Sequence, residues 1–233
     1  VYLLGNGIPT IFKIGLGNFF GTVWKPSKNL YGIVPMIVGS VYVTAGAILI
    51  GVPIGLLCAV YLSRFCPKAI YRVLKPAVEL MAGIPSIVYG FFGLMVIVPV
   101  IQQLTGTSGK SLLTASVLLG IMILPTIISV AESALNAVPE GYYEGSLALG
   151  ATHERSVFSV ILPAAKSGVM SGVILGIGRA VGETMAVIMI AGNQPIMPAG
   201  LLKGLRTMTA NIVLEMGYAS GLHREALIAT GVV

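Results

Sequence analysis

The charged residues of this chain leave long stretches empty between them: none lies between Lys28 and Arg64, none between Glu79 and Lys110, and none between Lys110 and Glu132. About 20 helical residues cross the roughly 30 Å of bilayer hydrocarbon, and each gap reaches that length. Only 9% of the chain is charged, 56% is hydrophobic and the mean hydropathy is +0.95, whereas a soluble domain carries about a quarter charged residues. A water-soluble fold is excluded. So is a transmembrane β-barrel, because apolar and polar residues do not alternate. The expected class is therefore an all-α polytopic membrane bundle, in which the 30 Gly and 13 Pro are tolerated because neighbouring helices re-satisfy freed backbone groups.

The pattern predicts membrane spans over 33–62, 76–101, 111–130 and 167–190, forming with their connections a single transmembrane domain over 1–233. Residues 1–31 read as a structured loop or surface helix and 64–75 as a basic loop. Residues 131–166 form a large polar insertion, and 192–222 form a second long loop with a helical stretch near 207–216. Val1 reads as the tail of one apolar span and a further span begins at 222–233, so that the intact protein is expected to have six. The net charge of +6 does not point to nucleic acid, since Lys and Arg are scattered through the gaps between apolar runs, as beside lipid headgroups. Loop charge does not orient the chain either. One set of loops holds Arg64, Lys68, Arg72, Lys75, Arg155 and Lys166. The other holds a similar number, from Lys13 to Arg224.

Cys58, Cys66, His153 and His223 are too dispersed to suggest a disulfide framework or a metal site. Gly106-Thr-Ser-Gly-Lys-Ser111 resembles the end of a phosphate-binding loop, but the required earlier glycine is Leu104 and no strand precedes it. It reads as a turn, and no ATP site is expected in this chain.

Residues 144–163 read Glu-Gly-Ser-Leu-Ala-Leu-Gly-Ala-Thr-His-Glu-Arg-Ser-Val-Phe-Ser-Val-Ile-Leu-Pro. A helix from Glu140 to Leu149, ended by Gly150 in the left-handed region, and a second helix capped by Thr152 and reaching Pro163 would make a rigid two-helix knob. The stretch resembles the EAA loop of ABC importer permeases, E-A-A-x3-G-x9-I-x-L-P. Glu144, Gly150, Leu162 and Pro163 match in register, Val160 stands for Ile, and Gly145 and Ser146 replace the alanines. The resemblance implies that Glu140, Glu144, Gly150, Ala151, Leu162 and Pro163 couple the permease to a separate ATPase. ATP and magnesium would be bound there, and this chain would be a transport subunit with no cofactor of its own. An ordinary helical hairpin is the alternative.

In the fourth span Arg179 stands four residues before Glu183. An arginine in hydrocarbon costs at least about 2.5–3.5 kcal/mol on insertion scales, so such a residue usually faces the bundle interior. On a continuous helix the two charges share a face, flanked by Gly168, Gly172, Gly176 and Ala180 on one side and Gly178, Gly182 and Ala186 on the other, spacings that let helices approach closely. They could form an internal ion pair or serve a substrate. In the second span Gly83 and Pro85 loosen one turn and could free carbonyls and the Ser86 hydroxyl toward a pathway.

As strings, Ala82 to Gly90, Gly182-Glu-Thr-Met-Ala-Val187 and Ala191-Gly-Asn-Gln-Pro195 look like the PstC-type permeases of phosphate importers. That resemblance covers the chain. It implies a type I permease fold in a bacterial plasma membrane, with Arg179, Glu183, Thr184, Ser86 and Glu79 along the phosphate path. It also implies a second, PstA-like permease, a PstB-like ATPase dimer and an external PstS-like phosphate-binding protein. Another oxyanion as cargo, or a channel or secondary transporter running without ATP, are the alternatives.

Overall fold

The computed structural model describes residues 2–233. Among them, three helices are long and apolar enough to cross a membrane: Val34–Phe65, Ser86–Thr105 and Leu112–Asn136. A fourth crossing arises if the pair His153–Ala164 and Lys166–Gly182, bent by 71°, is one broken span. The first and third spans run further than the apolar runs suggested, to Phe65 and Asn136, and carry Pro53 and Pro125 within the helix.

Two expected spans are interrupted. The stretch 76–101 divides into a Lys68–Gly83 helix and the span from Ser86, with Ile84 and Pro85 in extended backbone between them. Proline disfavours helical backbone in the residue before it, which places the break there. The stretch 167–190 divides into Lys166–Gly182 and Met185–Ile190.

The described chain forms two compact units. The first unit comprises residues up to Gly46, Pro85–Leu118 and Val181–Val233. Here the Tyr2–Ile14 helix packs on the Gly221–Thr230 helix, with Lys13 donating to Glu225 at 2.8 Å. A two-stranded antiparallel hairpin pairs Trp24 with Tyr31 and Lys25 with Leu30. Its aromatic residues join Phe19, Ile33, Met36 and Leu227 in one apolar core. The Ser86–Phe92 helix lies against Met185–Ile190, close enough that a Cβ on Gly90 would stand 2.9 Å from the Ala186 Cα. Residues 106–111 form a tight turn with Gly106 and Gly109 at φ of +66° and +72°. Met208–Met216 is a helix capped by Thr207, whose hydroxyl accepts from the Ala210 N–H at 3.3 Å.

The second unit comprises Ala47–Ile84 and Leu119–Ala180. Its centre is the Leu112–Asn136 helix from Leu119 onward, whose buried face includes Ile123, Ile127, Ala131 and Leu135. Glycines from two other helices let their backbones approach this face: a Cβ on Gly51 would meet Ile123, and one on Gly55 would meet Ile127. From the other helix, Gly168, Gly172 and Gly176 oppose Ala134, Val130 and Ile127 in turn. The predicted first stripe of small residues is thus a packing seam. Of the second stripe, Ala186 packs against Gly90, whereas a Cβ on Gly178 or Gly182 would meet nothing within 4 Å.

Three helices carry one five-residue turn wound more widely than an α-helix: Tyr61–Phe65, Gly93–Ile97 and Val157–Ile161. Each is followed at the second residue by proline, Pro67, Pro99 and Pro163. A proline ring clashes with the carbonyl four residues earlier and supplies no N–H to it. At Pro99 and Pro163, where the helix continues, that carbonyl lies in the middle of the widened turn, which moves it aside; at Pro67 the chain has already left the helix at Cys66, which is extended.

Gly176→Leu should lower the thermal midpoint of the detergent-solubilised chain, since its Cβ would stand 2.8 Å from Ile127 and overpacking costs about 1–3 kcal/mol. Gly178→Leu should leave the midpoint unchanged, and equal losses in the two variants would contradict the seam.

Candidate functional site

The polar insertion is built as two short helices on a left-handed joint. Glu140–Ala148 starts after Pro139 and ends at Leu149, and Gly150 follows at φ +86°. Two crossed hydrogen bonds close this end, from the Gly150 N–H to the Leu147 carbonyl at 2.9 Å and from the Ala151 N–H to the Ser146 carbonyl at 3.1 Å. This is the arrangement that satisfies the last carbonyls of a helix and requires a residue with positive φ. A Cβ at Gly150 would touch nothing, so backbone conformation alone selects glycine here. Thr152 then caps the next helix, its hydroxyl accepting from the Arg155 N–H at 3.3 Å. Its own backbone N–H and the Thr152 hydroxyl hold the Glu154 carboxyl below its ordinary range. The helix passes through the widened turn before Leu162 and Pro163 and meets Lys166–Gly182 at the 71° bend.

This knob is fastened to the end of the first span. The Arg64 guanidinium donates to the Leu135 carbonyl at 2.8 Å and to Glu140 at 3.4 Å. His153 lies between Tyr143 and Arg64, with Nδ1 2.8 Å from the Tyr143 hydroxyl and Nε2 3.1 Å from the Arg64 carbonyl. A carbonyl only accepts, so Nε2 carries a proton and donates it to Arg64. Phe65 meets the same ring edge-on at 4.7 Å. The basic segment after the first span and the polar insertion therefore lie together, at one end of the second unit. Outward from the clamp, Leu149 is 91% exposed and Tyr142 56%. Glu144 is also exposed. An apolar tip on a stiff, polar-rimmed knob is suited to insertion into a cleft of another protein.

The expected substrate-facing residues are distributed differently from the helical spacing. Arg179 is half-buried in the second unit and donates to the Thr126 hydroxyl at 3.3 Å. It forms no ion pair among the described residues. Glu183 falls beyond the helix end at Gly182, so the four-residue spacing no longer places it on the arginine's helical face. Its carboxylate accepts the backbone N–H groups of Thr184 at 3.1 Å and Ala186 at 3.2 Å, capping the helix that restarts at Met185. The Glu183 carbonyl accepts from the Thr209 hydroxyl, and the Thr184 hydroxyl donates to the Gly182 carbonyl at 3.3 Å. Ser86 opens its helix directly after Pro85.

Glu79 is placed outside any span, on the Lys68–Gly83 helix, with its side chain 60% exposed and 3.7 Å from Lys75. The sequence reading missed that Lys75 is held chiefly by Glu132. This carboxylate is buried on the Leu112–Asn136 helix and accepts from Lys75 at 2.6 Å and Tyr71 at 2.7 Å. Burial works to lower the Lys75 pKa, but the Glu132 carboxylate outweighs it and holds the ammonium above its ordinary value. Thr126, Arg64, Tyr143 and His153 were also missed. Only the four-residue relation of Lys75 to Glu79 could have been found by spacing.

His153→Ala should loosen the knob by about 1–3 kcal/mol, since it strips partners from the Tyr143 hydroxyl and the Arg64 carbonyl. Hydrogen–deuterium exchange should quicken across 140–156 while Leu112–Asn136 keeps its protection. Unchanged exchange in the knob would show that the clamp does not hold it.

Residues 51–233 match the family described as binding-protein-dependent transport system inner membrane component. The chain is 41% identical to a Bacillus subtilis (strain 168) protein named "Probable ABC transporter permease protein YqgH", over 84% of this chain and 65% of that one. It is 36% identical to the phosphate transport system permease protein PstC of Xylella fastidiosa (strain 9a5c), over 99% of this chain and 78% of that one. A solved structure of an amino acid ABC transporter with histidines shares its fold, with a TM-score of 0.61 at 20% identity over 91% of each chain. Apolar spans, a glycine-jointed knob in the family's register and these matches agree: the chain belongs to the inner-membrane permease components of binding-protein-dependent transport systems, as a multi-pass plasma-membrane protein of the type I ABC permease fold.

Proposed function

We propose that this chain is the permease subunit of an ATP-driven importer that carries inorganic phosphate inward by alternating access. The observation carrying the cargo is the 36% identity, over nearly the whole chain, to a protein named as a phosphate transport system permease. Arg179 adds chemical support. A guanidinium presents donors in a fixed planar fork suited to phosphate oxygens, and this one spends a single hydrogen bond on Thr126 and none on a carboxylate. Glu183 acts beside the path as the cap that fixes where the interrupted helix restarts, with Thr184 and Ser86 at the adjoining helix starts.

The knob over 140–163 transmits the ATPase stroke in this reading, with Leu149 and Tyr142 entering the ATPase and the 71° bend redirecting the motion into Lys166–Gly182. A PstA-like permease, a PstB-like ATPase pair that binds ATP and magnesium, and an external PstS-like phosphate-binding protein complete the machine. The knob lies on the cytoplasmic side, and the paired segments 1–31 and 192–222 lie outside.

Uptake of labelled phosphate by vesicles holding all four kinds of subunit tests the proposal. It should require ATP on the knob side and resist competition by sulfate. Arg179→Gln should lower uptake about 10- to 100-fold, the loss expected for one charge-assisted hydrogen bond, with assembly intact. Arg179→Gln combined with Glu183→Gln should stay as inactive, whereas recovery in the double variant would mean that the two charges only neutralise each other. Gly150→Val should cost the joint about 1 kcal/mol or more and depress both transport and stimulated ATPase activity, with membrane insertion unaffected. Parental transport by that variant would remove the coupling role from the knob.

A further inference from the structure

The Lys68–Gly83 helix has no buried residue, yet its sequence is strongly sided. At 3.6 residues per turn Ile70, Val73, Leu74, Ala77 and Leu80 share one arc, and Lys68, Arg72, Lys75 and Glu79 share the opposite one. The helix is anchored to its own unit from the edge of the polar arc, where Tyr71 and Lys75 hold Glu132. The apolar arc points away from that anchor. Val73 is 69% exposed and Leu80 is 74% exposed. Lys68 and Arg72 have no hydrogen-bonding or ionic partner among the described residues.

Connectivity sets the depth of this helix. Only Cys66 and Pro67 separate it from the end of the Val34–Phe65 span, and only Ile84 and Pro85 separate it from Ser86–Thr105. The latter span has 20 residues, about 30 Å of helix, which by itself matches the hydrocarbon thickness. The Lys68–Gly83 helix is therefore left outside the hydrocarbon core and tied at both ends to the membrane boundary.

We propose that it is an interfacial lipid-binding helix on the knob side of the membrane. Its apolar arc enters the acyl boundary, and Lys68 and Arg72 engage the phosphates of anionic headgroups. The grip of Tyr71 and Lys75 on Glu132 fixes its rotation, so that the apolar arc turns to lipid and not to the protein's own core. The lipid surface is favoured over a protein partner because the sided sequence combines free cations with an apolar face at the depth where both find complements. The inference does not depend on which solute is carried.

The test uses the assembled transporter in nanodiscs, with Cys58→Ser and Cys66→Ser in the permease and a spin label on Val73→Cys or Leu80→Cys. In a mixture of phosphatidylcholine and phosphatidylglycerol both labels should be reached by oxygen far better than by a water-soluble nickel chelate, at a depth of about 5–10 Å below the headgroups. Access by nickel equal to that of an exposed loop would overturn the proposal. Poor access by both reagents would also overturn it, showing an apolar arc covered by another subunit. Replacing phosphatidylglycerol by phosphatidylcholine should lower the oxygen-to-nickel ratio at Val73→Cys, and adding Lys68→Gln and Arg72→Gln should abolish that dependence. The same dependence with and without the two cations would overturn their assignment to headgroups.

Discussion

The second unit depends on how closely its helices can approach Leu112–Asn136. In a membrane the helices gain nothing from leaving water for one another, since lipid tails are as apolar as their side chains, and van der Waals contact must supply the cohesion. Glycines supply the proximity for that contact. Gly51 and Gly55 come from one neighbour, Gly168, Gly172 and Gly176 from another, and the two sets converge on Ile123, Ile127 and the small residues beyond them. Ile127 is met from both sides. Because Arg179 and Thr126 stand on the two helices joined by the second seam, their hydrogen bond is positioned by the same close packing.

At the end of that packed set the polar interactions are concentrated where the chain leaves the bilayer. Glu132 takes Tyr71 and Lys75, and Arg64 spans from Leu135 to Glu140. His153 closes the group through its two ring nitrogens. Long-range bonds of this kind bring stiffness to a segment that is otherwise mostly exposed. A stiff knob moves its supporting helices when pushed, whereas a loose one would bend and leave them in place.

What could be read in the sequence followed rules that act within a few residues. Gly150 and Thr152 were legible because a left-handed joint and a hydroxyl cap are decided by adjacent backbone. The packing stripe of Gly168, Gly172 and Gly176 was legible because helical spacing places its members on one side. At Gly178 and Gly182 the same spacing shows that residues share a side without showing what faces them. It misled at Glu183, where a carboxylate that could cap a helix was read as the helical neighbour of Arg179. Pro85 marked a weak turn, but the apolar run around it concealed a complete break. The clamp on His153 and the burial of Glu132 join residues far apart in the chain, for which local pattern holds no signal.

The widened turns before Pro67, Pro99 and Pro163 bear on how such a chain can change its length over generations. A turn of this type holds one residue more than regular winding needs. Deleting one residue within it would let regular winding resume, so the loss need not open a gap in the backbone bonding. Because the wide turn already absorbs the rotation and rise of its extra residue, the segment beyond would keep its direction and present the same side chains to its surroundings. At Val157–Ile161 such a turn lies within the second helix of the knob, just ahead of the 71° bend. The knob would keep both its fold and its aim, so at this place a single codon could be lost without changing which partner surface the permease fits.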